Sequence, residues 1–150
     1  MKISNSFQIS ASGLTAQRLR MDVISSNIAN AETTRAGFVN GQFVPYQRKT
    51  VVMSPTQPSF QQTLQAAMQG ESTPRGVKVT QIKSDEAPFK LVFNPTHPDA
   101  DQNGYVHMPN VDMAKEMVDM ISATRSYEAN VTALNASKSM IMKALEIGRG

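Results

Sequence analysis

The sequence has no cysteine and no tryptophan, and aromatic residues make up 6% of its 150 positions. Without thiols there are no disulfides, no thiolate catalysis and few ways to build a structural zinc site. No run of about 18 apolar residues occurs, so no segment has the length and hydropathy of a membrane-spanning helix. No charged-then-apolar leader opens the chain either, so if the protein leaves the cytoplasm it is expected to do so by a route that does not cleave a leader. Charge of one sign is also lacking. The formal net charge is +3, and the basic residues are spread out, approaching one another only at Arg48-Lys49 and Arg18/Arg20. That falls short of the electrostatic footprint nucleic-acid binding requires.

Site chemistry is equally sparse. There is no Gly-x-Ser-x-Gly elbow, no phosphate-cradling glycine loop and no His-Glu-x-x-His. Asp99, Asp101, Asn103 and Gly104 match the front half of a calcium loop, but its twelfth position is Asn110, where a bidentate Glu is needed. The preceding Asn94-Pro95-Thr96-His97-Pro98 cannot form an entering helix. His97 and His107 lie ten apart, outside the short helical spacings of zinc motifs. The sequence therefore predicts no catalytic residue, cofactor, metal or small-molecule substrate.

What the chain does have is periodicity. From Asn110 to Gly148, apolar or small residues recur at alternating steps of four and three: Met113, Met117, Met120, Thr124, Tyr127, Val131, Leu134, Lys138, Ile141 and Leu145. A 3.5-residue period is that of a helix laying one seam along a partner. Asn110 is placed to cap it, Asp112 and Glu116 suit the positive end of its dipole, and Gly148 is a natural stop. At about 1.5 Å per residue the helix would be roughly 55 Å long. A compact chain of this size has a radius of gyration near ~15 Å, so the helix must reach outward. Lys2 to Ala31 repeats the pattern through Phe7, Ser10, Leu14, Gln17, Met21, Ile24 and Ile28. Ser25, Ser26, Asn27 and Asn30 weaken that helix in isolation, because their side chains compete for backbone hydrogen bonds.

Between the helices the period changes to two. Asn40-Gly41 between apolar residues predicts a hairpin over Phe38–Val44. Tyr46–Met53, Val77–Ile82, Phe89–Phe93 and Tyr105–Met108 read as strands, with Asn94–Gly104 as a long turn. Residues 54–76, rich in Pro, Gln, Ser and Gly, read as a flexible loop with room for a short helix over Ser59–Met68. The predicted class is α+β: a helical arm at 1–35 pairing antiparallel, in coiled-coil fashion, with an arm at 110–150, and a small β-rich module at 36–109. Connectivity puts each position of the first arm opposite about 141 minus its number. Leu14 then faces Tyr127, Met21 faces Met120 and Ile24 faces Met117, while Gln17 meets Thr124 in a polar layer that would set the register. The second arm outruns the first, which leaves Ile141, Met142 and Leu145 for neighbouring molecules.

Two groups of residues go further. Ala11-Ser12-Gly13-Leu14-Thr15-Ala16-Gln17-Arg18, followed by Ser25-Ser26-Asn27-Ile28-Ala29-Asn30, resembles the N-terminal signature of flagellar rod, hook and hook-associated axial proteins. Gly76-Val77-Lys78-Val79, Gly104-Tyr105-Val106-His107-Met108-Pro109-Asn110-Val111-Asp112 and Arg125-Ser126-Tyr127-Glu128-Ala129-Asn130 resemble the proximal-rod members of that family. The resemblance implies a non-enzymatic subunit of the bacterial flagellar basal body. Such subunits assemble helically through their terminal helices into the hollow rod that transmits torque. The implied partners are copies of itself, other proximal rod proteins, the adaptor at the rod base, the membrane ring and the flagellar type III export apparatus. Read from the residues alone, the amphipathic arms also suit a module that binds a membrane surface or a partner helix.

Overall fold

The computed structural model describes residues 3–39, 41–57, 61, 64, 68 and 75–148, with side chains from residue 6 onward. Most of the expected loop at 54–76, the helix expected over Ser59–Met68 and Asn40 of the first turn lie outside the described residues. Helix α1 spans Ile3–Ala29 and helix α2 spans Met113–Ile147. Six strands lie between them: β1 Gly37–Val39, β2 Gln42–Val44, β3 Lys49–Pro55, β4 Val77–Ser84, β5 Lys90–Phe93 and β6 Tyr105–Met108. They pair in sequence order as three two-stranded ladders.

The polar residues inside the helices spend their hydrogen bonds on carbonyls of the preceding turn. Thr15 donates to Ala11 O, Asn130 to Ser126 O and Thr132 to Glu128 O, so they decorate the ladder without breaking it. Asn30 does the same to Ser26 O just past the last residue of α1 and accepts from Thr33, which turns the chain. Helix α2 starts later than the sequence suggested. Its N-cap is Asp112, whose Oδ1 accepts from the backbone of Ala114 at 3.0 Å and Lys115 at 3.4 Å. Asn110, the expected cap, is used elsewhere. It accepts from Arg48 N–H and donates to the carbonyls of Asp85 and Ala87, tying three connecting segments together.

The chain forms two compact units that cut across the boundaries expected at 35/36 and 109/110. One comprises Met1–Leu19, Val52–Gln81 and Ala123–Gly150, the other Arg20–Val51 and Ile82–Ser122. In the first unit the buried helix residues are small: Ser10, Ala16, Ala123 and Ser137. The second has a more conventional apolar interior of Val23, Ile24, Tyr46, Val106 and Val111, with Asn27 and Glu116 buried beside it.

Two hairpins of the second unit carry cross-strand aromatic pairs. Phe38 is opposite Phe43 in the β1–β2 ladder, with ring centroids 5.1 Å apart in an edge-to-face arrangement. Phe93 is opposite Tyr105 in β5–β6, at 5.3 Å. Positive φ values occur at Gly41 (+83°) and Gly104 (+79°), the turn positions of these hairpins. At Gly104 a Cβ would also stand 2.9 Å from the Phe93 ring. Gly104→Ala is therefore expected to cost about 2 kcal/mol, from the left-handed backbone and the contact together. A thermal midpoint lowered by several degrees is the check; an unchanged midpoint would mean the turn relaxes freely.

Asp99, from the calcium-like stretch, serves as an anchor within the same unit. Its carboxylate accepts from Arg35 Nε at 2.7 Å and from Thr34 Oγ1 at 2.8 Å, while Arg35 also covers the Phe43 ring. The hydrogen bond from Arg35, then that from Thr34, holds the Asp99 carboxyl below its ordinary value of 3.8. A depressed carboxyl contributes stability above its unfolded pKa and loses it as pH falls through the folded value. The anchor should thus be intact at neutral pH and loosen in acid below about pH 4. Asp99→Asn is expected to flatten the dependence of stability on pH in that window, measured by denaturant melts at stepped pH.

Candidate functional site

The densest arrangement of polar side chains lies in the second unit, where α1, the start of β3 and the first turn of α2 meet. Glu116 is fully buried. One carboxylate oxygen accepts from Arg48 Nε at 2.7 Å and the other from Asn27 Nδ2 at 2.9 Å. Asn27, 1% exposed, also donates to Lys49 O and accepts from Lys49 N–H and the Tyr46 hydroxyl, so its amide is saturated. Ser26 lies 3.3 Å from the same hydroxyl. Arg48 further reaches Asp85 and Asp119, each at 3.6 Å, and Arg20 pairs with Asp119 at 3.0 Å. Burial alone would lower the pKa of Arg48. The Glu116 hydrogen bond and the charges of Glu116, Asp85 and Asp119 outweigh it and hold the guanidinium above its ordinary value. Among the described residues, no buried side-chain polar atom of the cluster is left without a hydrogen-bond partner. Its geometry is that of a brace.

The first unit has a smaller junction. Ser12 donates to Ile9 O and accepts from Val77 N–H at 3.1 Å, and a Cβ on Gly76 would lie 2.6 Å from that hydroxyl. On the neighbouring residue, a Cβ on Gly13 would lie 3.0 Å from Asn130 Oδ1. The Ser12-Gly13, Gly76-Val77 and Asn130 stretches, far apart in sequence, come together because glycine lets the backbones approach closely.

Comparison with known proteins places these features. Residues 7–36 match the family described as "Flagella basal body rod protein", and residues 102–147 match "Flagellar basal body rod FlgEFG protein C-terminal". The flagellar basal-body rod protein FlgC of Bacillus subtilis (strain 168) is 57% identical over 150 residues, covering 99% of this chain and 100% of the relative. The chain belongs to the FlgC family of flagellar basal-body rod proteins. The FlgC of Borreliella burgdorferi is 44% identical over 156 residues, covering all of both chains, and that of Salmonella typhimurium is 45% identical over 149 residues, covering 99% of this chain and 100% of the relative. Membership makes the chain a structural, non-enzymatic subunit of the flagellar basal-body rod that assembles with other rod proteins. Nothing in these likenesses supports a membrane-surface or peptide-binding module.

The junctions of this FlgC-family chain include several residues that carry the resemblance. Asn27, Asn110, Ser12, Gly13 and Asn130 all hold chain segments together. The sequence-predicted seam residues are placed more variously. Ile24 is buried; Leu14, Met21, Ile28, Met120, Tyr127, Val131 and Leu134 are half-buried. Phe7, Met113 and Met117 stand exposed, at 42%, 44% and 54%. On α2 the buried positions are Glu116, Ala123 and Ser137, each one residue before the predicted Met117, Thr124 and Lys138, while the predicted Met120, Thr124, Tyr127, Val131, Leu134 and Ile141 are half-buried. Apolar weighting picked Met117, whereas Ala123 and Ser137 are small enough to sit close to another backbone.

Gln17 is half-buried, and its Oε1 has no hydrogen-bond partner among the described residues; Thr124 is half-buried too. Met142 and Leu145 are exposed, at 55% and 62%, while Ile141 is half-buried. Sequence reasoning missed the Glu116 brace. It read Glu116 as a charge favoured by the helix dipole and Arg48 as one of two adjacent basic residues. No local signal marks the pair, whose members lie 68 positions apart.

Proposed function

We propose that the chain builds the rod through its two helices, which run antiparallel and leave apolar zones at both ends of α2 for neighbouring subunits. The observation carrying this is the distribution of exposed apolar side chains on α2. Met113, Met117, Val118 and Ile121 stand out near its start, and Met140, Met142, Leu145 and Ile147 near its end. The exposed positions between them, among them Arg125, Glu128, Thr132, Asn135 and Lys138, are polar or small. A soluble monomer rarely displays such apolar surface without a partner. The antiparallel sense is supported inside the second unit, where Asn27 with Glu116 and Arg20 with Asp119 have numbers adding to 143 and 139, close to the 141 the sequence suggested. Inside the first unit, Gly13 with Asn130 adds to 143, which fits the same rule.

In this reading residues 1–35 and 110–150 form the assembling part, residues 36–109 a β-rich module, and Gln17 and Thr124 contribute a polar layer. The half-buried seam residues hold the helices together, while Phe7, Met113, Met117, Met142 and Leu145 meet other molecules. Copies of the chain and other proximal rod proteins are the neighbours the family implies, with the rod-base adaptor, the membrane ring and the type III export apparatus as further partners. Leu145→Asp, or Met142→Glu, is the test. Either is expected to leave the purified chain's circular dichroism and melting unchanged while abolishing swimming in a strain that carries it as the sole copy. Normal swimming would overturn the reading.

A further inference from the structure

We propose that the Arg48–Glu116–Asn27 cluster is a register lock, fixing which heptad of α2 lies against α1 and β3 rather than supplying net stability. This rests on the antiparallel reading above. A buried ion pair is poor evidence for stability, since well-packed apolar residues of similar volume often do as well or better. A buried polar position that singles out one alignment of two helices is, by contrast, a well-attested use of such groups. The chain needs a device of this kind. In the first unit the buried helix residues Ser10, Ala16, Ala123 and Ser137 are small, and such side chains interlock too little to distinguish one heptad from the next; in the second, Val23 and Ile24 are buried on α1 but the buried residue of α2 is Glu116 itself.

Glu116 can be buried only where Arg48 Nε and Asn27 Nδ2 both meet its carboxylate, at 2.7 and 2.9 Å. A slip of one heptad replaces it with Ala123 or Pro109, leaves the 14%-exposed Arg48 side chain without its buried partner and carries a carboxylate away from both donors. Three segments are held at once. Asn27 fixes α1 and, through both backbone groups of Lys49, β3; Glu116 fixes α2 to both. The Arg20–Asp119 pair is about a third exposed on each side and discriminates weakly.

The absence of cysteine makes the test clean. In the full chain, Gly13→Cys/Asn130→Cys reports the native register, because a Cβ on Gly13 falls 3.2 Å from Asn130 Cγ. Gly13→Cys/Ala123→Cys and Gly13→Cys/Ser137→Cys report slips of one heptad in either direction. Since α2 is one continuous helix, a slip at Glu116 moves these positions equally. Disulfide yield in dilute monomer, read by mass spectrometry, is expected to favour the native pair strongly. In the background Arg48→Met/Glu116→Leu the chain should still melt cooperatively, while the slipped pairs gain about tenfold in yield relative to the native pair. A folded double variant that closes only the native pair overturns the lock and leaves the antiparallel reading standing. A double variant that fails to fold overturns it too, because the cluster would then be a stability element. If the native pair does not close in the unaltered background, the antiparallel reading itself falls, and the lock with it.

Discussion

Glu116→Leu on its own is expected to lower the unfolding free energy by about 3–5 kcal/mol, the usual consequence of stripping one partner from a buried ion pair. The substitution adds apolar volume to an interior position, which by hydrophobicity alone would count as an improvement. The loss comes from what remains. Arg48, 14% exposed, keeps its charge and loses the acceptor that compensates its burial, and one donor bond of Asn27 goes with it. Its remaining carboxylates, Asp85 and Asp119, are 3.6 Å away and more solvated. For a chain whose whole stability lies in the range of about 5–15 kcal/mol, that is about a fifth of the total at the least. The check is a urea melt. Its midpoint should fall sharply with Glu116→Leu and recover most of the way when Arg48→Met is added. A midpoint unmoved by the single substitution would show that water reaches Arg48 and that the pair is not buried in solution.

The second large effect is expected at Asn27. Asn27→Ala removes four hydrogen bonds at once and leaves the Lys49 N–H and C=O, the Tyr46 hydroxyl and one Glu116 oxygen in competition for whatever remains. Each group left buried and unpaired costs about 1–3 kcal/mol, although small readjustments prevent full addition. A loss of about 3 kcal/mol overall corresponds to a fall in Tm of roughly 6–12 °C for a chain of this length. Asn27→Asp separates packing from bonding. It keeps the shape and the two acceptor contacts but sets a carboxylate against Glu116, so it should be at least as damaging as the alanine. If Asn27→Ala melts like the parent chain, the junction is not the brace described above.

Much of this architecture can be read from the residues. The two long helices, the Asn-Gly hairpin and the strand over Tyr105–Met108 follow from periodicity and turn chemistry, signals that act over a few residues. The departures share one physical cause. Asn110, Glu116 and Arg48 each carry a polar group whose local reading is complete: a cap, a dipole-favoured charge, one of two adjacent basic residues. Their actual partners lie far away in sequence. Asn110 bonds across 62 positions to Arg48 N–H, and Arg48 reaches Glu116 68 positions on. No local pattern encodes such a pairing. The one-residue offset on α2 has the same origin: Ala123 and Ser137 are buried because something packs closely against them, a property of the partner surface and not of their own hydrophobicity. The family resemblance, by contrast, rests on stretches that include the polar and small residues Ser12, Gly13, Asn27, Asn110 and Asn130, which is why it identifies the chain where apolar periodicity only classifies it.

The three two-stranded ladders have a consequence of another kind. In two-stranded ladders every strand is an edge strand, so among the described residues none has both backbone sides paired within a sheet. Open edges invite pairing with other chains. Three strands carry known deterrents: Lys49 and Pro55 in β3, Lys78 and Lys83 in β4, Lys90 in β5. β1, β2 and β6 lack them but are three, three and four residues long, too short to template much. A protein built to polymerise thus discourages one route to polymerisation, backbone pairing between sheets, and leaves association to side chains, which can tell one neighbour from another.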